Sequence, residues 1–185
     1  MARNKLNKKL EVLVDALKKD HDRWEEIKTI GCYDPFHTDG VNMEVKRGHI
    51  IFMRKEIQEL CNQLKVPLPE IMQKPVPPKV DMDYMARPHE IVNNARDTLK
   101  IIKASKEYEQ FMSSPICRAV QPLTVQRLEY LATEAEKGID GNLIWLRIFE
   151  KRPEHMLSEL RSGLAKAEAH RQERGIHAEQ LCFAF

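Results

Sequence analysis

Apolar residues recur at alternating intervals of four and three in two segments near the amino terminus of the chain. In the first segment they are Leu6, Leu10, Leu13, Leu17, Trp24 and Ile27, with Asp20 as the interruption. In the second they are Met43, Ile50, Met53, Ile57, Leu60 and Leu64, with Lys46 as the interruption. This spacing predicts two helices that each carry one apolar stripe. Because neither helix can bury its stripe alone and only residues 31–42 join them, we predict a long antiparallel, coiled-coil-like hairpin over residues 1–66.

The predicted loop of this hairpin is unusually rich in aromatic and charged side chains. Gly31 suits the left-handed position after a helix, and Asn42 suits the N-cap of the next helix. Between them lie Tyr33, Asp34, Phe36, His37 and Asp39, which are more functional groups than a turn needs. Two interpretations follow. Either the two aspartates cap backbone N–H groups while Phe36 packs on Trp24, or the loop contacts a partner.

Residues 67–88 interrupt the helical pattern and are rich in proline. The prolines are Pro67, Pro69, Pro75, Pro77, Pro78 and Pro88. Proline lacks a backbone donor and has a fixed φ, so the segment is predicted to be a semi-rigid linker between two helical parts. We call it the strap. Its many apolar residues, from Leu68 to Met85, predict that it packs on the surface of a helix instead of crossing solvent.

Helical spacing returns at His89 and continues to residue 175. Pro122 and Pro153 suit the first turns of helices, while Gly138 and Gly175 suit helix ends. No run of alternating β-branched residues competes with this pattern. The chain is therefore predicted to be all-α, with a helical bundle over residues 89–175 and a carboxy-terminal tail over residues 176–185.

The charge of the chain is high but balanced. Its 30 Lys and Arg against 28 Asp and Glu leave a net charge of +2. This balance excludes an acidic mimic of nucleic acid and disfavours a strongly basic nucleic-acid binder. The four cysteines are scattered, as expected for reduced thiols in a cytoplasmic protein. We expect no membrane partner, because no apolar run is long enough to span a bilayer and no signal peptide is recognisable.

Eight potential metal ligands fall within thirty residues, but their spacing does not match a metal site. They are Asp20, His21, Asp22, Cys32, Asp34, His37, Asp39 and His49. The segment contains no Cys-x-x-Cys pair and no two histidines four apart, and aligning Gly40 with the glycine of an EF-hand puts Pro35 and Lys46 at ligand positions. We therefore predict no metal and no cofactor. A metal-dependent enzyme is the weakest of the alternatives, because the histidines lie at a hairpin tip where solvent keeps them unactivated.

A nucleic-acid-binding or replication accessory protein is the main alternative function. Cations follow the loop at Lys46, Arg47, Arg54 and Lys55, and others occur at Arg147, Lys151 and Arg152. Glutamates interrupt the first group, which favours an ordinary solvated helix face. The last six residues, 180–185, are similar to the peptides by which bacterial proteins bind the replicative sliding clamp, although the central leucine is missing.

The block from Asp20 to Ile27, the loop from Gly31 to Met43 and the segment from Arg47 to Ile51 resemble small proteins of clostridial phages and mobile elements. Among these, the sequence is similar to type II-A anti-CRISPR proteins, which inhibit the RNA-guided nuclease Cas9. The resemblance covers roughly residues 1–65, and Gly48 stands where such proteins often have asparagine.

This resemblance implies a non-catalytic protein of the bacterial host cytoplasm that binds Cas9, with or without guide RNA, and interferes with target DNA binding or cleavage. With a net charge near zero, shape blocking or conformational locking is expected instead of DNA mimicry. The candidate partner-binding residues are Tyr33, Asp34, Phe36, His37, Asp39, Arg47 and His49. A homodimer is a further partner to consider, and direct contact with nucleic acid is expected to be secondary.

Overall fold

The computed structural model describes residues 2–150 and 152–182, with side chains described for residues 3–150 and 152–174. Helix accounts for 79% of the structure and no strand occurs among the described residues, so the all-α prediction is confirmed. The helices are α1 Ala2–Ile30, α2 Asp39–Leu64, α3 Pro88–Lys103, α4 Lys106–Ser113, α5 Pro115–Val120, α6 Pro122–Lys137, α7 Leu143–Ile148 and α8 Pro153–Cys182, with 3₁₀ turns at Glu70–Gln73 and Gly138–Asp140. The chain divides into two compact units, one ending at Arg87 and the other beginning at Pro88.

In the first unit, α1 and α2 pack against each other in opposite directions. Lys9 Nζ lies 2.9 Å from Glu56 Oε2, whereas Lys46 Nζ lies 2.8 Å from Asp20 Oδ1, so residues later in α1 meet residues earlier in α2. All six apolar residues of the second stripe are buried. In the stripe on α1, Leu17, Trp24 and Ile27 are buried. The stripe residues nearer the amino terminus of α1 are partly exposed.

The two polar interruptions of the stripes face each other across the hairpin. Asp20 accepts a hydrogen bond from Lys46, and His49 Nδ1 lies 3.4 Å from the other carboxylate oxygen of Asp20. The antiparallel register thus gives each partly buried charge a partner of opposite sign. Removing one member would leave the other without compensation in a partly desolvated position.

The loop between α1 and α2 is shorter than predicted, because α2 begins at Asp39. Thr38 is the N-cap, and its hydroxyl accepts a hydrogen bond from Val41 N at 3.2 Å. The prediction that Asn42 caps this helix is wrong. Asn42 lies in the first turn, where its side-chain amide donates to Thr38 O at 3.0 Å and to Asp34 Oδ2 at 3.0 Å.

Residues 67–87 of the strap lie along one side of α2 and belong to the first unit, whereas Pro88 opens α3. Arg54 donates to Met72 O and to Lys74 O, both at 2.8 Å. Arg47 Nε donates to Pro77 O at 3.0 Å. Ile71 and Met72 pack against the apolar core around Leu17 and Ile57, and Val80 and Tyr84 pack against Trp24. Side chains of α2 thereby satisfy strap carbonyls that no helix or sheet pairs, and apolar strap residues extend the core of the hairpin.

His21 of α1 is a buried polar residue of this unit, with 2% of its surface exposed. Its Nε2 atom finds no hydrogen-bond partner among the described residues. Burial, followed by the positive charges of Lys74 and Arg54, lowers the pKa of His21 below 6.5, while Asp22 and Glu25 act in the opposite direction. The folded chain therefore takes up a proton at His21 at a lower pH than the unfolded chain does.

We expect the first unit to lose stability as the pH falls below about 6.5, because the unfolded state then binds a proton that the folded state resists. His21→Leu should reduce this loss of stability. His89 is an exposed histidine of α3, and His89→Gln should leave the loss unchanged. Denaturation followed by the fluorescence of the buried Trp24, with Trp145 of the second unit replaced by phenylalanine, reports on the first unit alone. An equal loss in the wild type and the His21 variant would contradict this role for His21.

The second unit is a bundle of short helices around the first half of α8. Its fully buried large side chains are Ile91, Ile102, Phe111, Leu131, Leu146 and Met156. Pro115 follows α4 and, with Ser114 as N-cap, opens the short helix α5. One detail differs from the predictions. Gly175 was expected to end α8, but the helix continues to Cys182.

Candidate functional site

The loop at the hairpin tip is built around the carboxylate of Asp34. Its Oδ1 atom accepts hydrogen bonds from Phe36 N at 2.9 Å and His37 N at 3.2 Å. Its Oδ2 atom accepts from Asn42 Nδ2 at 3.0 Å and lies 3.1 Å from His37 Nδ1. Burial opposes ionisation of Asp34, but these hydrogen bonds outweigh it and lower the pKa of Asp34 to about 2. The turn is thus held by an ionised carboxylate over all pH values near neutrality.

Asp39 ties the loop to the strap from inside the protein. It is 1% exposed; its Oδ1 atom accepts from Cys32 N at 2.9 Å and its Oδ2 atom from Ala86 N at 3.0 Å. The predicted capping of backbone N–H groups by Asp34 and Asp39 is confirmed. Because Asp39 is buried and both its oxygens are used internally, we remove it from the set of candidate contact residues.

The two aromatic side chains of the loop point away from the core. Tyr33 is 57% exposed and Phe36 is 80% exposed. The expected packing of Phe36 on Trp24 is wrong, because Trp24 is enclosed by Ile27 and Met43 with Cys32, Val80 and Tyr84 around them. The strap occupies the place at which Phe36 was expected, so Phe36 remains in solvent.

Two further apolar residues at this end of the unit are exposed, and neither was among the predicted contact residues. Ile30, the last residue of α1, is 54% exposed, and Met82 of the strap is 51% exposed. Met82 lies beside the loop, since its carbonyl accepts a hydrogen bond from the Thr38 hydroxyl. The exposure of Ile30 could have been predicted from the sequence, because this apolar residue falls outside the heptad stripe of α1. The position of Met82 depends on how the strap folds back and left no signal in the sequence.

We use the term tip surface for Ile30, Tyr33, Phe36, His37 and Met82. Four of the predicted contact residues are not part of it: Asp34 and Asp39 hold the loop together as hydrogen-bond acceptors, and Arg47 and His49 lie farther along α2. Arg47 holds the strap through Pro77 O and lies 3.7 Å from Glu44, so its guanidinium has a structural role. His49 pairs with Asp20 and follows the start of α2 by ten residues, which is about 15 Å along a helix.

The cations considered for nucleic-acid contact do not form a continuous cationic surface in the described part of the chain. Lys46 pairs with Asp20, and Arg47 and Arg54 donate to strap carbonyls. Arg147 of the second unit is buried, with 4% of its surface exposed. Lys151 and the side chains of the clamp-like motif at residues 180–185 lie outside the described residues.

A second exposed apolar surface runs along α2 on the side away from α1 and was also missed. Val45 is 51% exposed, Ile51 44% and Phe52 61%. Between them lies Gly48, and a side chain built at this glycine would meet nothing within 4 Å. We call Val45, Gly48, Ile51 and Phe52 the outer face of α2. Their spacing is visible in the sequence, but only the stripe that pairs α2 with α1 entered the prediction.

Within the described residues, no three His, Cys, Asp or Glu side chains are grouped so that they could hold a metal ion. Among the described helices, none combines the length and the apolar character that crossing a bilayer requires. Comparisons of the chain with protein-family models, with curated proteins and with solved structures found no match.

Proposed function

We propose that this protein is a non-catalytic binding protein that docks on a larger protein through the tip surface, and that its partner is Cas9. The observation that carries the proposal is the 80% exposure of Phe36 on a loop that is held by four contacts to one carboxylate, two from backbone N–H groups and two from side chains. The identity of the partner rests on the resemblance of residues 20–51 to type II-A anti-CRISPR proteins.

The tip surface has the composition that protein interfaces favour. Aromatic side chains and methionine are enriched where proteins bind one another, and a few aromatic anchors carry most of the binding energy. Four of its five residues are apolar and each of these is at least half exposed. Exposure of large apolar side chains on one end of a unit has no benefit for folding, which supports a role in contact.

The hydrogen bonds of Asp34 matter for affinity as well as for structure. A flexible loop loses conformational freedom when it binds, and this loss subtracts from the binding free energy. The loop here is already ordered by Asp34 on one side and by Asp39 on the other. A partner therefore meets Tyr33 and Phe36 in a fixed arrangement, and little further ordering is needed.

The charges of the first unit favour a protein partner over a nucleic acid. Three of the cations that follow the loop, Lys46, Arg47 and Arg54, bind Asp20 or strap carbonyls. Non-specific binding to DNA draws its affinity from unpaired cations near phosphates. Inhibition would then come from covering a surface of Cas9 or holding one of its conformations, without turnover.

A plasmid-cleavage titration tests this proposal. Purified protein is added to Cas9 with guide RNA before target plasmid, and co-elution with Cas9 is followed by size-exclusion chromatography. We expect cleavage to fall as the protein approaches equimolar amounts and a complex to elute together. Unchanged cleavage and separate elution would overturn Cas9 as the partner. If the protein instead binds plasmid in the absence of Cas9, and this binding weakens steeply with salt, the result would support the nucleic-acid accessory function.

A further inference from the structure

The second unit carries a groove on its surface between the later halves of α3 and α6, which we call the α3–α6 groove. Its volume is about 490 Å³, within the range of sites that bind ligands. Leu99, Ala132 and Ala135 form its floor, and Leu99 and Ala135 are buried. Because alanine side chains are short, the two helices leave space between them at this point instead of filling it. The groove is therefore an apolar depression that side chains of a partner can fill.

Cations line the rim of the α3–α6 groove. Arg96, Lys100 and Lys103 of α3 are exposed there, and Glu136 of α6 is the acidic residue among the described lining residues. Within the part of the chain that the structure describes, neither Lys100 nor Lys103 pairs with a carboxylate. Three cations against one carboxylate leave an excess of two positive charges on this rim, which equals the net charge of the whole chain.

The cations are placed for contact with a ligand in the groove. Arg96 Nε donates a hydrogen bond to Ala135 O at 2.9 Å, which holds the guanidinium across the groove from α3 to α6. A cation held in this way loses little conformational freedom when it binds a carboxylate. The helix dipole favours basic residues in the last turn of α3, where Lys100 and Lys103 lie. The dipole does not select a side of the helix, however, and both lysines lie on the side that borders the groove.

An apolar floor beside a basic rim matches a ligand that combines apolar side chains with carboxylates. An amphipathic helix with one apolar stripe and acidic residues beside it has this combination, and helices commonly bind in grooves of this kind. Nucleic acid is a poorer match, because the described lining residues include no aromatic side chain on which a base could stack. Phosphate groups would also leave the apolar floor uncovered. The charge and the apolar area together therefore favour an acidic peptide segment.

We propose that the α3–α6 groove binds an acidic amphipathic helix of a partner protein. Apolar side chains of that helix lie on the floor of the groove, and its carboxylates pair with the three cations of the rim. The proposal does not rest on Cas9 as a partner, because the tip surface belongs to the first unit and the groove to the second.

Fluorescence anisotropy of labelled model peptides tests the proposal with the full chain. The acidic probe is a short helical peptide with leucines at positions i, i+3, i+4 and i+7 and glutamates beside them. Two matched peptides carry lysines in place of the glutamates or alanines in place of the leucines. We expect the acidic probe to bind at least about tenfold more tightly than either matched peptide. Absence of binding to the acidic probe, or equal affinity for it and either matched peptide, would overturn the proposal.

Charge reversal tests whether the probe binds in the groove. Lys100→Glu combined with Lys103→Glu should weaken binding of the acidic probe at least about tenfold and give the chain a preference for the lysine peptide. Lys5→Glu combined with Arg118→Glu makes the same change in net charge at exposed positions outside the groove, and it should leave the affinity unchanged. Circular dichroism checks that each variant keeps its helix content. Lys100→Gln combined with Lys103→Gln should cause a smaller loss in the same direction, without adding carboxylates to the rim.

Two results of the charge-reversal experiment would contradict the proposal. An equal loss of affinity in the groove variant and in the control variant would show that net charge alone attracts the probe. Tighter binding of a labelled DNA duplex than of the acidic probe, lost in the groove variant, would assign the rim to nucleic acid.

Discussion

Replacing Gly40 with alanine is expected to destabilise the first unit by about 3 kcal/mol, because overpacking and the loss of buried hydrogen bonds act together at this position. A Cβ atom on Gly40 would lie 2.8 Å from Met82 O and closer still to Asp81 O. Both are backbone atoms that cannot rotate away. The strap would have to shift, and the hydrogen bond from Gly40 N to Tyr84 O at 2.9 Å would be lost.

Gly48→Ala is the matched control, because it makes the same chemical change in the same helix where nothing lies within 4 Å. It should raise stability by about 0.5–1 kcal/mol through helix propensity. Urea denaturation followed by Trp24 fluorescence measures both variants. If the two changed stability by the same amount and in the same direction, the strap would not be seated on Gly40 as described.

Asp39→Asn is expected to cost about 3 kcal/mol, although it removes only a charge and one acceptor. The two carboxylate oxygens each accept a backbone N–H, from Cys32 and from Ala86. An amide offers one acceptor and turns an N–H donor toward the other donor, so one buried N–H is left unsatisfied. The substitution also removes a negative charge from the first turn of α2, where it interacts favourably with the helix dipole.

Asp15→Asn provides the comparison for Asp39→Asn. Asp15 is an exposed residue of α1, and changes at such positions are usually within about 0.5 kcal/mol of neutral. The same urea denaturation measures both. A small effect of Asp39→Asn, similar to that of Asp15→Asn, would mean that the strap does not depend on the internal bonds of Asp39.

The stripes of α1 and α2 were predictable because their period is a local property of the sequence. Six of six stripe residues of α2 are buried as the spacing predicts. The pairing of Asp20 with Lys46 was not predicted, since it depends on the register of two helices joined by a loop of unknown length. The start of α2 was misplaced for a related reason. Thr38 and Asn42 both suit an N-cap, and the spacing of apolar residues does not distinguish a start one turn earlier.

The candidate site was harder to predict because it depends on contacts between residues far apart in sequence. Asp39 became a buried structural residue through Ala86, which lies 47 positions later. The structural role of Arg47 depends on its hydrogen bond to the carbonyl of Pro77, which lies 30 positions later. The aromatic residues of the loop were identified by composition alone, but their exposure follows from the strap filling the space beside Trp24. Apolar residues outside a stripe, such as Phe52, are a signal that the sequence alone contains.

The affinity of a tip variant for Cas9 tests the central claim most directly. Tyr33→Ser combined with Phe36→Ser removes both exposed aromatic rings while leaving the hydrogen bonds of Asp34 to the backbone in place. Val12→Ser, which removes an exposed apolar side chain of α1 far along the helix from the loop, is the control. On immobilised Cas9 with guide RNA, we predict that the double variant binds at least about 100-fold more weakly than the wild type, as loss of two aromatic anchors implies, and that Val12→Ser binds normally. Binding of the double variant as tight as that of Val12→Ser would contradict the assignment of the tip surface as the contact.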